Sequence, residues 1–367
     1  MTKNPASLAS SEPLAHEAGL DVARETYRTI SLYAPNRAPA DVDLSDNTNL
    51  WGIPPAAAKA ITGSAAALVT RYPALYAADV KDAIAAYTGV EPDMVVTGCG
   101  SDDVLDSAIR AFGDPGAAVA YPDPSFAMIP IFAQMNGLRS VPVPLTDAHD
   151  ADADAFIAAG CEITYLCSPN NPTGGLFSRD AVMRIVEASE GIVVIDEAYA
   201  EFASWNCLDL LQRFPRVVIT RTLSKAFGLA GLRIGYALGD PGIVAEIEKS
   251  RGPYKVNALA QQAAVSALTT DLGWVRDHVR EAIVNRQRLA TELAKIGLAP
   301  LPSESNFVLV PVPDANALDS ALREKGIAVR PFRALPRIGD ALRISVGPWP
   351  LLQRCIDGLS GLLTVQP

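Results

Sequence analysis

Histidine is scarce in this chain. Its 367 residues hold three, His16, His149 and His278, far apart in sequence. No zinc pattern can be drawn from them, and a Ser-His-Asp triad has few candidates. The five cysteines, Cys99, Cys161, Cys167, Cys207 and Cys355, are odd in number, scattered, and never spaced Cys-x-x-Cys. That excludes a disulfide framework. Long apolar runs are missing too: the stretch Ile53 to Val69 is broken by Lys59 and by prolines, and a membrane helix needs about 20 residues. Met1 to Gly19 lacks the charged-then-apolar layout of a secretory signal. Basic charge is in deficit, 31 Lys plus Arg against 41 Asp plus Glu, for a net charge of −10. Non-specific nucleic-acid binding needs a basic face and is excluded on that ground. A cytoplasmic protein with no metal, nucleic-acid or membrane partner is the expectation.

What is present is ordinary globular composition, 49% hydrophobic and 20% charged. At about 150 residues per domain, the length suggests two domains. From Asp79 the chain alternates. Helix is expected over Asp79–Thr88, then strand Met94–Thr97, helix Asp102–Phe112, and strands Ala117–Tyr121 and Ile163–Cys167. Helix Ser178–Glu187 follows, with apolar residues Val182, Ile185 and Val186 on one face. Ile192–Ile195 is β-branched and too short for a helix, so it reads as a buried strand. Val217–Thr220 repeats that pattern, and Leu232–Leu238 is one more candidate. Short buried strands alternating with helices predict an α/β fold with a mostly parallel sheet flanked by helices. Ligands of such sheets sit beyond the carboxyl ends of the strands. After Leu259 the pattern changes: a long helix Trp274–Ile296, strand Phe307–Val310, helix Ala317–Lys325, strands Ile327–Val329 and Leu342–Val346, and helix Leu351–Leu363. The expected division is an N-terminal arm over 1–44, a large domain over 45–270 and a smaller α+β domain over 271–367.

The most informative segment runs Thr220-Arg221-Thr222-Leu223-Ser224-Lys225-Ala226-Phe227-Gly228-Leu229-Ala230-Gly231-Leu232-Arg233. Lys225 follows an apolar strand, among small hydroxyl residues and beside Phe227 and Leu229. Such surroundings push an amine towards its neutral, nucleophilic form, as a Schiff-base lysine requires. Arg233, with Thr222 and Ser224, could reach a phosphate. Taken alone, Lys225 reads as a surface lysine on a loop, and only the other parts of a cofactor site overturn that reading. Asp196 ends the buried strand of Ile192-Val193-Val194-Ile195-Asp196-Glu197-Ala198-Tyr199. A carboxylate there is costly unless it meets a cation, and a pyridinium nitrogen is one. Its other reading is a helix cap. Gly98-Cys99-Gly100-Ser101-Asp102-Asp103 lies between a strand and a helix, where free N–H groups bind phosphate. It lacks the third glycine of a dinucleotide fingerprint and the Gly-Lys-Ser/Thr of a P-loop. Phe126 could stack on a flat ring or belong to the core. Arg343, alternating with Leu342 and Ile344, could fork onto a carboxylate or form a structural salt bridge.

Together these segments resemble the fold-type I pyridoxal 5'-phosphate (PLP) enzymes, specifically the histidinol-phosphate aminotransferase group of the aspartate aminotransferase superfamily. The resemblance runs from Asp43 to Leu363. It is carried by Ser168-Pro169-Asn170-Asn171-Pro172-Thr173-Gly174, Asp196-Glu197-Ala198-Tyr199, and Arg221 to Phe227 with Gly231-Leu232-Arg233, spaced 25 residues from Asn171 to Asp196 and 29 from Asp196 to Lys225. The resemblance implies a seven-stranded type of sheet and these roles. Lys225 would form the Schiff base and shuttle the proton. Asp196 would pair with the ring nitrogen, and Asn171 and Tyr199 would hold the phenolic oxygen. Gly100, Ser101, Asp102, Thr222, Ser224 and Arg233 would bind the phosphate, and Phe126 would stack on the ring. Arg343 would take the substrate carboxylate, with Asn49, Tyr33, Tyr254 and Arg330 on the substrate side. Tyr72, in Thr70-Arg71-Tyr72-Pro73, would be lent to a neighbouring subunit's cofactor, which implies a homodimer with shared active sites.

The resemblance implies transamination between histidinol phosphate, or a related amino acid, and a 2-oxo acid such as 2-oxoglutarate. A donor that is aromatic or specialised, and an amino-acid decarboxylase on the same scaffold, are the alternatives. One departure bears on the donor. Relatives carry an Asn-Glu-Asn segment where this chain has Asn47-Thr48-Asn49, followed by the bulky Trp51. Ile129 likewise stands where some relatives have a tyrosine.

Overall fold

The computed structural model describes residues 22–32 and 38–363, without the side chains of 64–67. It divides into two compact units, Met1–Asn36 and Arg37–Pro367. The described part of the first holds one short helix, Glu25–Arg28, with the Arg28 Nε donating to the Ala23 carbonyl.

The second unit carries three sheets. Its strands, in chain order, are β1 (Val42–Asp43), β2 (Val95–Gly98), β3 (Ala118–Asp123), β4 (Arg139–Pro144), β5 (Ile163–Cys167) and β6 (Ile192–Asp196). They continue with β7 (Val217–Thr222), β8 (Gly235–Leu238), β9 (Phe307–Pro311), β10 (Ile327–Ala328), β11 (Arg330–Leu335) and β12 (Gly339–Ser345). The large sheet has seven strands in the order β2-β8-β7-β6-β5-β3-β4. All neighbours pair parallel except β8, which runs antiparallel to both β2 and β7. The expected mostly parallel sheet of seven strands is what forms.

Both faces of this sheet are covered, and the side-chain alternation shows it. Val193, Ile195, Val217 and Ile219 join one apolar cluster, while Ile192, Val194 and Val218 join the other. Successive side chains on a strand point to opposite faces, so an unbroken β-branched run is what a doubly covered strand needs. Several helices start on side-chain caps: the Ser178 hydroxyl accepts from the Ala181 N–H, and Asp240 and Asn257 cap the helices Pro241–Arg251 and Ala258–Thr269.

β4, of sequence Arg-Ser-Val-Pro-Val-Pro, has no counterpart in the sequence expectations. Pro142 and Pro144 hide it, and its place at the sheet edge explains why they are tolerated. The helices Pro55–Leu68 and Met128–Met135 have no counterpart there either. A three-stranded antiparallel sheet, β11-β12-β9, forms the second layer, and β1 pairs parallel with β10.

The chain steps outward from β3 to β4 and then crosses back to β5 on the other side of β3. Loops after β3 and β5 therefore diverge, which opens a crevice at their carboxyl ends. Phe126 follows β3, Asn171 follows β5, Asp196 ends β6, and Lys225 follows β7.

Candidate active site

Lys225 sits just past the end of β7, partly buried. Its Nζ donates to the Asp46 carbonyl at 3.2 Å and lies 5.8 Å from the centroid of the Tyr199 ring. Burial, followed by the positive charges of Arg343 and Arg233, lowers its pKa to about 8; Asp102 and Asp196 oppose part of that fall. The amine is thus closer to its neutral form than a surface lysine is.

Asp196 is 4% exposed. Its Oδ2 accepts from the Tyr165 hydroxyl at 2.9 Å; its Oδ1 accepts from the Thr220 hydroxyl and the Ala198 N–H, both at 3.2 Å. Burial raises its pKa to about 6 against these bonds. Among the described residues no ion pair includes Asp196, although the neighbouring Glu197 is bound twice by Arg221, at 2.9 and 2.7 Å. Tyr165 is not among the residues singled out from the sequence. The signal available was a tyrosine inside the buried run Ile163–Cys167, since a buried phenol seeks a partner.

A glycine-lined cradle lies at the start of the helix Ser101–Phe112. Gly100 precedes it at φ 84°, with no side-chain cap on the helix. A Cβ at Gly100 would stand 2.5 Å from Arg233 Nη2, and one at Gly235 would stand 2.3 Å from the Ser101 nitrogen. Arg233 Nη2 donates to Asp102 Oδ2 at 3.1 Å. Thr222 pairs with Gly235 across β7 and β8, and its hydroxyl donates to Ser224 Oγ at 2.9 Å. Gly100, Ser101, Asp102, Thr222, Ser224 and Arg233 therefore meet at one corner, where N–H groups, hydroxyls and a guanidinium suit a phosphate.

On another side, Arg343 leaves β12 with Nη1 donating to Asn171 Oδ1 at 2.7 Å and Nη2 to the Ser45 carbonyl at 2.8 Å. Asn47 Nδ2 donates to the Tyr199 hydroxyl at 3.2 Å. Sequence reasoning missed Asn47. Asn49, which it singled out, donates from Nδ2 to the Ala226 carbonyl at 2.9 Å, one residue past Lys225. Arg330 lies opposite Arg343 in the β11–β12 register. Phe126 is partly buried, its carbonyl accepting from the Ile129 N–H. Tyr72 and Tyr254 stack on each other at 4.8 Å on the surface. Tyr33 lies outside the described residues. Among the described residues no cluster of His, Cys, Asp and Glu could hold a metal ion.

These observations fit PLP in type and charge. A lysine of lowered pKa suits its aldehyde. A buried acid without an ion-pair partner suits its ring nitrogen. A cradle that a single methyl group would fill, beside Arg233, suits its phosphate.

The family described as aminotransferase class I and II matches residues 39–359. The histidinol-phosphate aminotransferase of Thermoanaerobacter pseudethanolicus is 39% identical over 300 residues, covering 80% of this chain and 85% of that one. The histidinol-phosphate aminotransferase of Caldanaerobacter subterraneus subsp. tengcongensis is 34% identical over 347 residues, covering 93% and 98%. The crystal structure of histidinol-phosphate aminotransferase from Sinorhizobium meliloti in complex with pyridoxal-5'-phosphate superposes with a TM-score of 0.84 at 26% identity, covering 95% of this chain and 99% of that one.

Proposed function

The chain belongs to the aminotransferase class I and II family, and on that premise we propose that it moves the amino group of histidinol phosphate, or of a related amino acid, to a 2-oxo acid such as 2-oxoglutarate. It is a PLP-dependent aminotransferase of the aspartate aminotransferase-like fold type I. The donor is the proposed part. The names of the relatives support it.

The observation that carries the reading is the Lys225 amine, held at about 8 between the Asp46 carbonyl and the Tyr199 ring. When bound, PLP supplies an aldehyde that accepts the amino group and a ring that withdraws electrons from Cα. Lys225 would hold the cofactor, and its amine would serve as the base for the donor Cα proton. Asp196 would pair in its ionised form with the ring nitrogen, and Tyr165 and Thr220 hold its oxygens in place. Asn171 and Tyr199 would hold the phenolic oxygen, and Phe126 would cover the ring. Gly100, Ser101, Asp102, Thr222, Ser224 and Arg233 take the phosphate. Arg343, braced by Asn171 and Ser45, orients the substrate carboxylate or the group in its place, with Asn49, Arg330, Tyr254 and Tyr33 as the further substrate-side residues.

A homodimer in the cytoplasm completes the reading. Tyr72 is 83% exposed, and Ile53, Val69, Leu75, Tyr76 and Tyr254 are exposed large apolar residues of the same unit; such groups suit a partner surface that would bring Tyr72 to the other subunit's site. No helix among the described residues is long and apolar enough to cross a membrane. Residues 45–270 make the large domain, around β2–β8, and 271–367 the small one, around β9, β11 and β12.

A half-reaction screen tests the donor. Histidinol phosphate should convert the bound cofactor to its amine form and release the carbonyl product. Release of carbon dioxide from an amino-acid donor, or conversion by other amino acids only, would overturn the proposal.

A further inference from the structure

A second cavity, lined by none of the proposed cofactor residues, lies between the helix Leu272–Lys295 and the segment Pro300–Glu304. Its volume is about 550 Å³, within the range of small-molecule sites. Its walls are mainly apolar, with Phe202, Ile283, Ala290, Leu301 and Val308 among them, beside Ser204, Gln287 and Ser303. Two charged groups line it, Arg286 and Glu304. No role in the proposed reaction uses either.

Arg286 is 8% exposed. Its hydrogen bonds both leave from Nη1, to the carbonyls of Ser305 at 2.8 Å and Phe202 at 3.4 Å. Nε and Nη2 make no hydrogen bond to the described residues, and no ion pair among them includes Arg286. A buried guanidinium whose N–H groups border a cavity calls for an acceptor from outside. Burial lowers its pKa, and the nearby charge of Glu304 partly restores it. Glu304 accepts from the Ser204 N–H through Oε2, which leaves Oε1 for another donor.

The lining restricts the ligand. One cation faces one anion, so a phosphate dianion would meet a single guanidinium and a repelling carboxylate. A plain hydrocarbon would offer no partner to Arg286 Nε and Nη2 or to Glu304 Oε1. A zwitterion satisfies both, and the apolar walls suit a hydrocarbon side chain on it. We propose that this cavity binds a free α-amino acid with an apolar side chain, its carboxylate on Arg286 and its ammonium on Glu304.

The test is calorimetric titration of the borohydride-reduced holoenzyme, in which the fixed cofactor prevents turnover. L-phenylalanine is the probe, with 3-phenylpropanoate lacking the amine and 2-phenylethylamine lacking the carboxylate. L-phenylalanine should bind without altering the cofactor's absorbance, and each analogue should bind about tenfold more weakly or worse, a loss of about 1.4 kcal/mol. Ala290→Trp fills the cavity from a partly exposed helix position that is not among the cofactor residues. It should weaken L-phenylalanine by at least about tenfold while leaving turnover unchanged. Glu304→Gln should abolish the preference for L-phenylalanine over 3-phenylpropanoate. Absence of binding, equal binding by the Ala290→Trp protein, or an analogue that matches the amino acid would each overturn the assignment.

Discussion

Replacing Asp196 by asparagine gives a test with a sign that reverses. In the cofactor-free protein burial holds this acid at about 6, against 3.8 for a free aspartate. That gap is worth about 3 kcal/mol of strain on the ionised form. Because the folded-state value is the higher one, the associated stability is full below the unfolded value and is lost as pH rises through about 6. The amide of the Asp196→Asn variant keeps an oxygen for Thr220 and the Ala198 N–H, turns its NH2 towards the Tyr165 hydroxyl, which can accept, and carries no charge to desolvate. The cofactor-free variant should therefore gain on the wild type by about 2 kcal/mol between about pH 4.5 and about pH 7.5, several degrees in melting temperature. Adding PLP at neutral pH should reverse the order. The ring nitrogen then meets an ion in the wild type and an amide in the variant, and losing one partner of a buried pair costs about 3–5 kcal/mol. Thermal melts with and without cofactor, across that pH range, read both effects. A stability difference that does not change with pH, or an equal rise in melting temperature on adding PLP, would refute the reasoning.

Three further outcomes are expected. The rate at which cofactor-free protein captures PLP should rise with pH to a plateau with its midpoint near 8, as Lys225 loses its proton; a midpoint above about 10, the range of a free lysine, would contradict the buried amine. Tyr165→Phe removes the 2.9 Å bond to Asp196 and should lower kcat about tenfold while moving the acid limb of its pH profile upward; an unmoved limb would remove Tyr165 from the site. Gly100→Ala places a methyl group against Arg233 at a φ of 84°, and PLP affinity should fall by at least about tenfold by equilibrium dialysis; unchanged affinity would mean the phosphate binds elsewhere.

Much of this site is legible in the sequence because its functional residues are local to strand ends. A β-branched run that stops at an acid, as in Ile192 to Asp196, fixes both the strand and the place of the acid at its end. Lys225 and Arg233 are read in the same way from β7 and the turn after it. What stayed hidden depends on side chains meeting across the fold. Tyr165 lies on the strand next to Asp196, and only the β5–β6 pairing brings its hydroxyl to the carboxylate. Asn47 reaches Tyr199 across 152 residues. The Asn-Thr-Asn segment drew attention to Asn49 instead, because sequence alone cannot say which of two alternate positions faces inward. β4 was concealed by its prolines, since their meaning depends on whether a strand is central or at the edge.

The central claim is that Lys225 is the residue holding the cofactor. Borohydride reduction of the holoenzyme, followed by proteolysis and mass spectrometry, tests it most directly. The account predicts a pyridoxyl phosphate adduct on the peptide containing Leu223-Ser224-Lys225-Ala226, at Lys225; an adduct on another lysine, or none in a protein that still turns over, would contradict it.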